Sequence, residues 1–394
     1  MTRIATEAKV TPFAARGLSA PMVRDLMDPE GMLHPVLHAV RSDREHNGRR
    51  EEGKPDLDLE IRDGYINVYY RGGNLMKIHE GGRDGAQYGA DFHSQYIQRT
   101  DDVCEGIRRT AAKPWRQPAD DDERRLHLAL RDSRLLDDTR LCSAQDVLDH
   151  VHQFTARKNA MDANIRHGRG PKLERCAEQE MTGINNADAD SEYLVCDIEY
   201  TFLLPDSDRV MGRIDLVAAR RPDPRDQGAP CRLVFVELKY GTGAIDGDKA
   251  GLRAHMHDLR VLMEDGHLER RAAEMVNVVQ QKRELGLVPA TVSGFDLEKP
   301  VEYVVAVAAH KKESQKLMDA LLGRVDQEGN REALMMPPPG VDVRIALFDA
   351  GEPLVLHHAA MCPLGDVELP EWRTRICSRD PLRPRPWSRD GLAN

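Results

Sequence analysis

Two apolar segments that each carry acidic residues constrain the fold of this chain most strongly. The first runs Met211-Gly-Arg-Ile-Asp215-Leu-Val-Ala, and the second runs Leu233-Val-Phe-Val-Glu237-Leu-Lys239. An unbroken apolar run before Glu237 is typical of a strand that is buried on both faces. Because side chains alternate between faces along a strand, Glu237 and Lys239 share one face. Charged groups at the end of a buried strand are costly unless they are paired or bind a ligand, so we expect a site there.

The loop between the two segments is polar and rich in proline, so the segments are expected to form an antiparallel hairpin. If the loop is centred on Asp226, residues whose numbers add up to 452 lie opposite each other, and Asp215 and Glu237 satisfy this sum. The two carboxylates would then lie side by side on one face. They would repel each other, and a divalent cation is the usual reason to bring them together. The length of the loop leaves the register open.

The order of helical and strand periodicity predicts the fold class. From residue 170 the order is helix, three strands, two helices, strand, helix and strand, which indicates an α/β fold with a mixed central sheet flanked by helices. Upstream, apolar residues alternate between Leu57 and Ile78, and glycine turns interrupt them, which predicts a β-meander. Three helices are expected between residues 101 and 165. Meander and helices together form an N-terminal α+β domain.

Composition divides the chain into four parts. Residues 1–56 form an N-terminal segment with a charged run, Arg41 to Lys54, which we interpret as an exposed connector. Residues 57–166 form the α+β accessory domain, and residues 167–365 form the domain that carries the charged strand ends. Residues 366–394 form a basic tail rich in proline and arginine.

Charge and composition argue against several classes of protein. The chain of 394 residues has a net charge of −10, which is typical of a soluble protein and not of one that coats nucleic acid. Its apolar runs are shorter than the roughly 18 residues that a membrane span needs, and its start lacks the apolar core of a signal peptide, so we expect a cytoplasmic protein without membrane contact. Its seven cysteines include no closely spaced pair, which argues against a zinc or iron–sulfur site.

With Asp215 on one strand and Glu237-x-Lys239 on the next, residues 170–300 resemble the PD-(D/E)xK nuclease superfamily. Gly-Arg-Ile stands before Asp215 where the signature has a proline. The resemblance implies a restriction-endonuclease-like core in which Asp215 and Glu237 bind Mg²⁺ or Mn²⁺, and Lys239 positions or activates the attacking water. It therefore implies a metal-dependent nuclease. DNA is the expected substrate, although nothing in the sequence distinguishes RNA from DNA.

Two glutamates are candidates for a supporting role. Glu199 lies one hairpin before Asp215, and the turn places it opposite residue 214 or 215; a solvated strand face is the alternative. Glu180 lies on an apolar face of the first helix of this domain, whereas Glu174 and Glu178 are expected to point away. Several members of the resembled superfamily place a glutamate of this helix near the metal. The alternative for Glu180 is a carboxylate that simply reaches water.

Three further polar residues complete the candidate set. Gln280 lies where exonuclease-like members of the superfamily carry Gln-x-x-x-Tyr, which implies a supporting role, although no tyrosine follows here. Lys249 lies in a glycine-rich loop after the Glu237 strand and before a helix N-terminus, where it is placed to contact a substrate phosphate; the ending of a P-loop is absent. Arg213 is the second candidate for substrate binding. His255 and His257 are interpreted as packing or surface residues, with a role in catalysis as the less favoured alternative.

The acidic balance keeps a second function open. Residues 161–300 contain 19 Lys+Arg and 25 Asp+Glu, so non-specific affinity for nucleic acid is expected to be modest. A metal, the basic tail, a homodimer or a partner protein would have to help in holding a nucleic acid. The alternative is a catalytically weak or inactive protein of the same fold that acts as a binding or sensing module.

Overall fold

The computed structural model contains two main β-sheets with helices packed around them, which confirms the mixed α/β class. It describes residues 16–47, 57–82, 85–91, 139–155, 157–158, 161–162, 173–187, 191–203, 210–223, 225–226, 228–241, 245, 251–264, 267–311, 316–322, 324–325, 331–332 and 337–377. Within these ranges no helix has both the length and the apolar character needed to cross a membrane.

Two helices precede the first sheet: α1 (Ala20–Met27) and α2 (His34–Asn47). Residues 41–47 therefore continue a helix, and the interpretation of the charged run as an exposed connector is wrong over this stretch. The physical reason is that its charges have partners elsewhere in the fold. Arg44 Nη2, for example, lies 2.6 Å from Oδ1 of the buried Asp58. Residues 48–56, the rest of the run, lie outside the described residues.

The first sheet is an antiparallel meander of five strands in sequential order, as the alternation predicts for its first part. Its strands are β1 (Leu57–Ile61), β2 (Tyr65–Tyr70), β3 (Gly73–Glu80), β4 (Tyr88–Asp91) and β5 (Thr139–Leu141). Gly72, in the turn between β2 and β3, has a φ of 70° and packs against the backbone of Arg175, so only glycine fits there. Helix α3 (Ala144–His152) confirms the last of the three predicted helices; the first two fall outside the described residues.

The second sheet has six strands, in the spatial order β13-β12-β9-β8-β7-β6. The elements that follow α3 are, in chain order, α4 (Leu173–Ala187), β6 (Tyr193–Leu203), β7 (Val210–Arg220), β8 (Arg232–Tyr240), α5 (Leu252–Leu262), α6 (His267–Glu284), β9 (Val301–Ala308), α7 (Lys316–Leu322), the antiparallel pair β10 (Arg324–Val325) and β11 (Arg331–Glu332), β12 (Val341–Leu347), β13 (Cys362–Pro363) and α8 (Pro370–Cys377). Strands β6, β7 and β8 are antiparallel, whereas β8, β9 and β12 are parallel. The predicted mixed sheet is thus confirmed.

One hydrophobic core joins the two sheets. It contains Leu59 and Ile78 from the meander together with Phe235 and Tyr303 from the second sheet. The predicted boundary near residue 166 lies outside the described residues, but the parts on either side of it share this core. Most of the predicted basic tail also lies outside; its first residues form α8, where Arg375 lies over the Trp372 ring.

A buried ion pair crosses from the meander to α6. Lys282 Nζ lies 2.7 Å from Glu60 Oε1 and 2.8 Å from Glu60 Oε2, and it also donates to the backbone oxygen of Cys196 on β6. Glu60 is fully buried and Lys282 is 2% exposed. Burial raises the pKa of Glu60 to about 7, although Lys282 acts in the opposite direction. Each charge therefore depends on the other to remain in the interior.

We expect Lys282→Met to lower the free energy of unfolding by about 3–5 kcal/mol, because it removes the nearest counter-charge of the buried Glu60 and leaves only Arg62, whose Nη1 lies 4.0 Å away. Combining it with Glu60→Leu should recover most of this loss. Equilibrium unfolding in urea measures both variants. Arg225→Ala, which removes an exposed pair with Asp223, is the control and should leave the midpoint unchanged. An equal loss in the single and double variants would contradict the prediction.

Candidate functional site

The two charged strand ends meet in the predicted register. Leu216 of β7 faces Val236 of β8, and this pair adds up to 452. Asp215 and Glu237 occupy the next opposed positions, where the regular strand pairing ends. There the backbone N–H of Leu238 donates to Asp215 Oδ2 at 2.9 Å. Both carboxylates are completely buried.

Burial gives Asp215 an unusual affinity for protons. Burial, together with the charge of Glu237, raises the pKa of Asp215 to about 7, although Lys239, the Leu238 N–H and Arg213 act in the opposite direction. A carboxylate that is forced to titrate near neutral pH is under electrostatic strain. Such strain is common where a site is built to bind a positive charge.

Helix α4 contributes two more carboxylates to this point. One carboxylate oxygen each from Glu174, Glu178 and Asp215 lie within 4.8 Å of one another. Glu178 is 2% exposed. Burial raises its pKa well above the ordinary range, and the charges of Asp215 and Glu199 add to this effect. We call Glu174, Glu178 and Asp215 the acidic cluster.

The expectation that Glu174 and Glu178 point away from the site is therefore wrong. Leu173, which the sequence suggests as part of the buried face, is 39% exposed, whereas Ala177 and Met181 are buried. Two residues along a helix correspond to a rotation of about 200°, so Glu178 and Glu180 lie on different faces. Glu180 is half-buried, outside the acidic cluster.

Glu199 lies opposite Asp215, in one of the two registers that the sequence leaves open. Its neighbours Ile198 and Tyr200 face Leu216 and Ile214, so Glu199 is opposite Asp215. Its φ is 48°, a left-handed conformation that is costly for a residue with a side chain. Strain of this kind persists only where the surrounding contacts hold it, and it is frequent at functional sites.

Two arginines bind Glu199 and border the acidic cluster. Arg175 Nη2 of α4 lies 2.9 Å from Glu199 Oε1, and Arg213 Nη1 of β7 lies 3.4 Å from the same oxygen. Arg213 Nη2 also lies 3.4 Å from Asp215 Oδ1. The Arg213 side chain is 37% exposed, so its guanidinium reaches both the cluster and the solvent.

Lys239 connects the end of β8 with α4. Its Nζ lies 2.5 Å from Glu237 Oε1 and 3.7 Å from Glu174 Oε1. Burial lowers the pKa of Lys239, but the charges of Glu237 and Asp215 outweigh burial, so the net pKa is raised. The ammonium group is therefore charged at neutral pH.

His255, in the first turn of α5, also contacts Glu237. Its Nε2 lies 3.0 Å from Glu237 Oε1, and the residue is 9% exposed. Burial lowers the pKa of His255, but the hydrogen bond to Glu237 and the charge of that residue outweigh burial and raise it. The sequence assigns His255 to packing or to the surface. The signal that could have found it is its position at the start of the helix that follows β8.

Gln280 is not brought into this group. It is exposed on α6, and its neighbour Gln281 bonds the backbone of Leu18. Lys249 lies outside the described residues.

The oxygen atoms at this site fit a hard divalent cation. Glu178 Oε1 and both oxygens of Glu237 are buried and have no hydrogen bond of regular geometry from the residues that the structure describes. Leaving such oxygens without a donor is costly, and Mg²⁺ and Mn²⁺ prefer carboxylate oxygens as ligands. The acidic cluster and Glu237 Oε2 are therefore the groups that could hold the ion.

Comparisons with protein-family models, with curated proteins and with solved structures find no match to this chain. Its functional interpretation therefore depends on the geometry of the site and on the motif of its sequence.

In metal-free protein, we expect Asp215→Asn to increase stability at pH 8. The folded pKa of Asp215, about 7, lies above its ordinary value of 3.8, so the folded state binds the proton more tightly than the unfolded state does. The contribution of Asp215 to stability is therefore greatest at low pH and is lost as the pH rises through about 7. The amide cannot ionise, so the variant should gain roughly 1–3 kcal/mol at pH 8 over wild type.

Urea unfolding in EDTA at pH 8 and at pH 5 measures this difference, which should shrink at the lower pH. Asp226→Asn, in the exposed loop between β7 and β8, is the control and should change little at either pH. A gain of equal size at both values of pH would contradict the assigned pKa.

Proposed function

We propose that this protein is a Mg²⁺- or Mn²⁺-dependent nuclease with a restriction-endonuclease-like core. The observation that carries the proposal is the convergence of Asp215 with Glu174 and Glu178 beside the Glu237-x-Lys239 strand end. The element order α4, β6, β7, β8 and α5 supports it, because the resembled superfamily has this order around the same motif.

The acidic cluster would hold the cation, with Glu237 Oε2 as a further oxygen. Glu178 takes the role that the resemblance implies for Glu180, since it is the buried glutamate of α4 that lies near Asp215. When bound, the cation would polarise the scissile phosphate and lower the pKa of a bound water. The raised pKa of Asp215, about 7, implies that protons compete with the cation below neutral pH.

Lys239 supplies a fixed positive charge at the same point. Because its ammonium is held by Glu237 and lies near Glu174, it has few positions available. A buried cation in such a position orients the attacking water and offsets the negative charge that develops on the phosphate during cleavage.

Arg213 and Arg175 would hold the phosphate backbone of the substrate. A guanidinium group can donate two parallel hydrogen bonds to the oxygens of one phosphate. Both arginines are partly exposed at the border of the acidic cluster. DNA is the proposed substrate. The proposed location is the cytoplasm, because the described cysteines are free thiols, as expected in a reducing compartment.

The burial of the site favours one second candidate. Asp215 and Glu237 are completely buried, and the Glu174 side chain is only 30% exposed, which leaves a substrate little room to approach. A protein of this fold that binds a cation but does not cleave nucleic acid would act as a binding or sensing module.

We expect purified protein to cleave linear, nicked or single-stranded DNA with Mn²⁺, and to lose this activity in EDTA. Asp215→Asn and Lys239→Met should each reduce the rate by about 100-fold or more, because each removes a group that acts on the developing charge. Gel assays with end-labelled substrates measure the rate.

Helix α4 provides a matched pair of variants for the same assay. Glu178→Gln should reduce cleavage as strongly as Asp215→Asn, whereas Glu180→Gln should retain most of the activity, because only Glu178 belongs to the acidic cluster. A Lys239→Met variant that cleaves at the wild-type rate would contradict the assigned mechanism. A wild type that binds Mn²⁺ through Asp215 but cleaves neither DNA nor RNA would favour the binding module.

A further inference from the structure

His255 makes a contact that neither the motif nor the acidic cluster accounts for. It lies on α5, outside α4, β7 and β8, the three elements that carry the motif and the acidic cluster, and the residue is 9% exposed. Its Nε2 lies 3.0 Å from Glu237 Oε1. Its Nδ1 is buried and has no hydrogen-bond partner among the described residues. The contact with Glu237 is therefore the polar interaction that the structure shows for this ring.

Helix α5 is held close to the strand that carries Asp215. The carboxylate of Asp258 accepts a hydrogen bond from the backbone N–H of Arg213. Gly212 allows this approach, because a Cβ at that position would lie 2.6 Å from Asp258 Cγ. Asp258 lies one helical turn after His255, so its contacts with β7 also hold the part of α5 that carries the His255 ring.

Oε1 is the oxygen of Glu237 that lies nearest to both positive groups, 2.5 Å from Lys239 Nζ and 3.0 Å from His255 Nε2. Neither Glu237 oxygen has a hydrogen bond of regular geometry from the described residues. Two positive groups beside one oxygen restrict the plane of the carboxylate more than a single flexible lysine side chain could. An ionised carboxylate only accepts hydrogen bonds, so the proton in this contact belongs to His255 Nε2.

We propose that His255 is a positioning residue for Glu237, which holds Oε1 together with Lys239 so that Oε2 remains directed at the cation. This inference rests on the proposed function, since it requires that the site binds a divalent cation. Groups that orient a metal ligand contribute strongly to affinity, and their removal typically weakens metal binding about 10- to 100-fold.

Titration calorimetry of the full-length, metal-free protein with Mn²⁺ tests the proposal without a measurement of activity. We expect His255→Ala to raise the Kd for Mn²⁺ about 10- to 100-fold. His255→Gln should recover most of the affinity, because its amide N–H falls near the position of Nε2. His255→Asn should remain weak, because its shorter side chain does not reach Glu237. His257→Ala, on the exposed side of the same helix, should match wild type.

The outcomes separate this inference from the proposed function. A wild-type Kd in His255→Ala, or equally weak binding by His255→Gln and His255→Asn, would overturn the positioning role, since a donor to Glu237 would then not matter. If wild type itself shows no Mn²⁺ binding that Asp215→Asn abolishes, the proposed function fails and the inference fails with it. Should His255→Ala not fold, as judged by near-UV circular dichroism, the comparison of glutamine with asparagine still decides the question.

Discussion

The repulsion between buried carboxylates at one end of the second sheet governs the rest of this structure. The charge of Asp215 raises the pKa of Glu178, and the charge of Glu237 raises the pKa of Asp215. Hydrophobic packing does not weaken this repulsion, but it holds the carboxylates in place. The core that joins the two sheets therefore holds together a site whose acidic groups repel one another.

Two positive groups of the site come from different strands, and each is shared between two acids. Lys239 of β8 lies between Glu237 and Glu174, and Arg213 of β7 lies between Glu199 and Asp215. Because each of these two groups holds two carboxylates, displacement of one strand would change the charge balance at several carboxylates at once. The geometry of the site is thus a property of the sheet and both flanking helices together, and not of the motif alone.

The sequence was sufficient for those features that depend on local periodicity. The ranges of β7 and β8 followed from alternation and apolar runs, and their register is the one that a loop centred on Asp226 gives, although the length of the loop left it open. It was insufficient where a charged residue is buried by a distant partner. Glu178 looked like a solvent-facing glutamate because its neighbours Asp215 and Glu199 come from other strands, and residues 41–47 looked like a connector because Arg44 binds Asp58. The role of His255 was not predicted for the same reason, since its partner Glu237 belongs to another element, β8.

The ion pair between Glu60 and Lys282 has a consequence for the modularity of the chain. Lys282 belongs to the part that resembles a nuclease, and Glu60, its acidic partner, belongs to the meander. In a fragment that begins after the meander, Lys282 would lose Glu60 as its counter-charge. The apolar surface that the meander covers in the whole chain would also be exposed. The meander is therefore not an independent module. A domain that replaced it through recombination would have to supply a buried carboxylate at the position of Glu60.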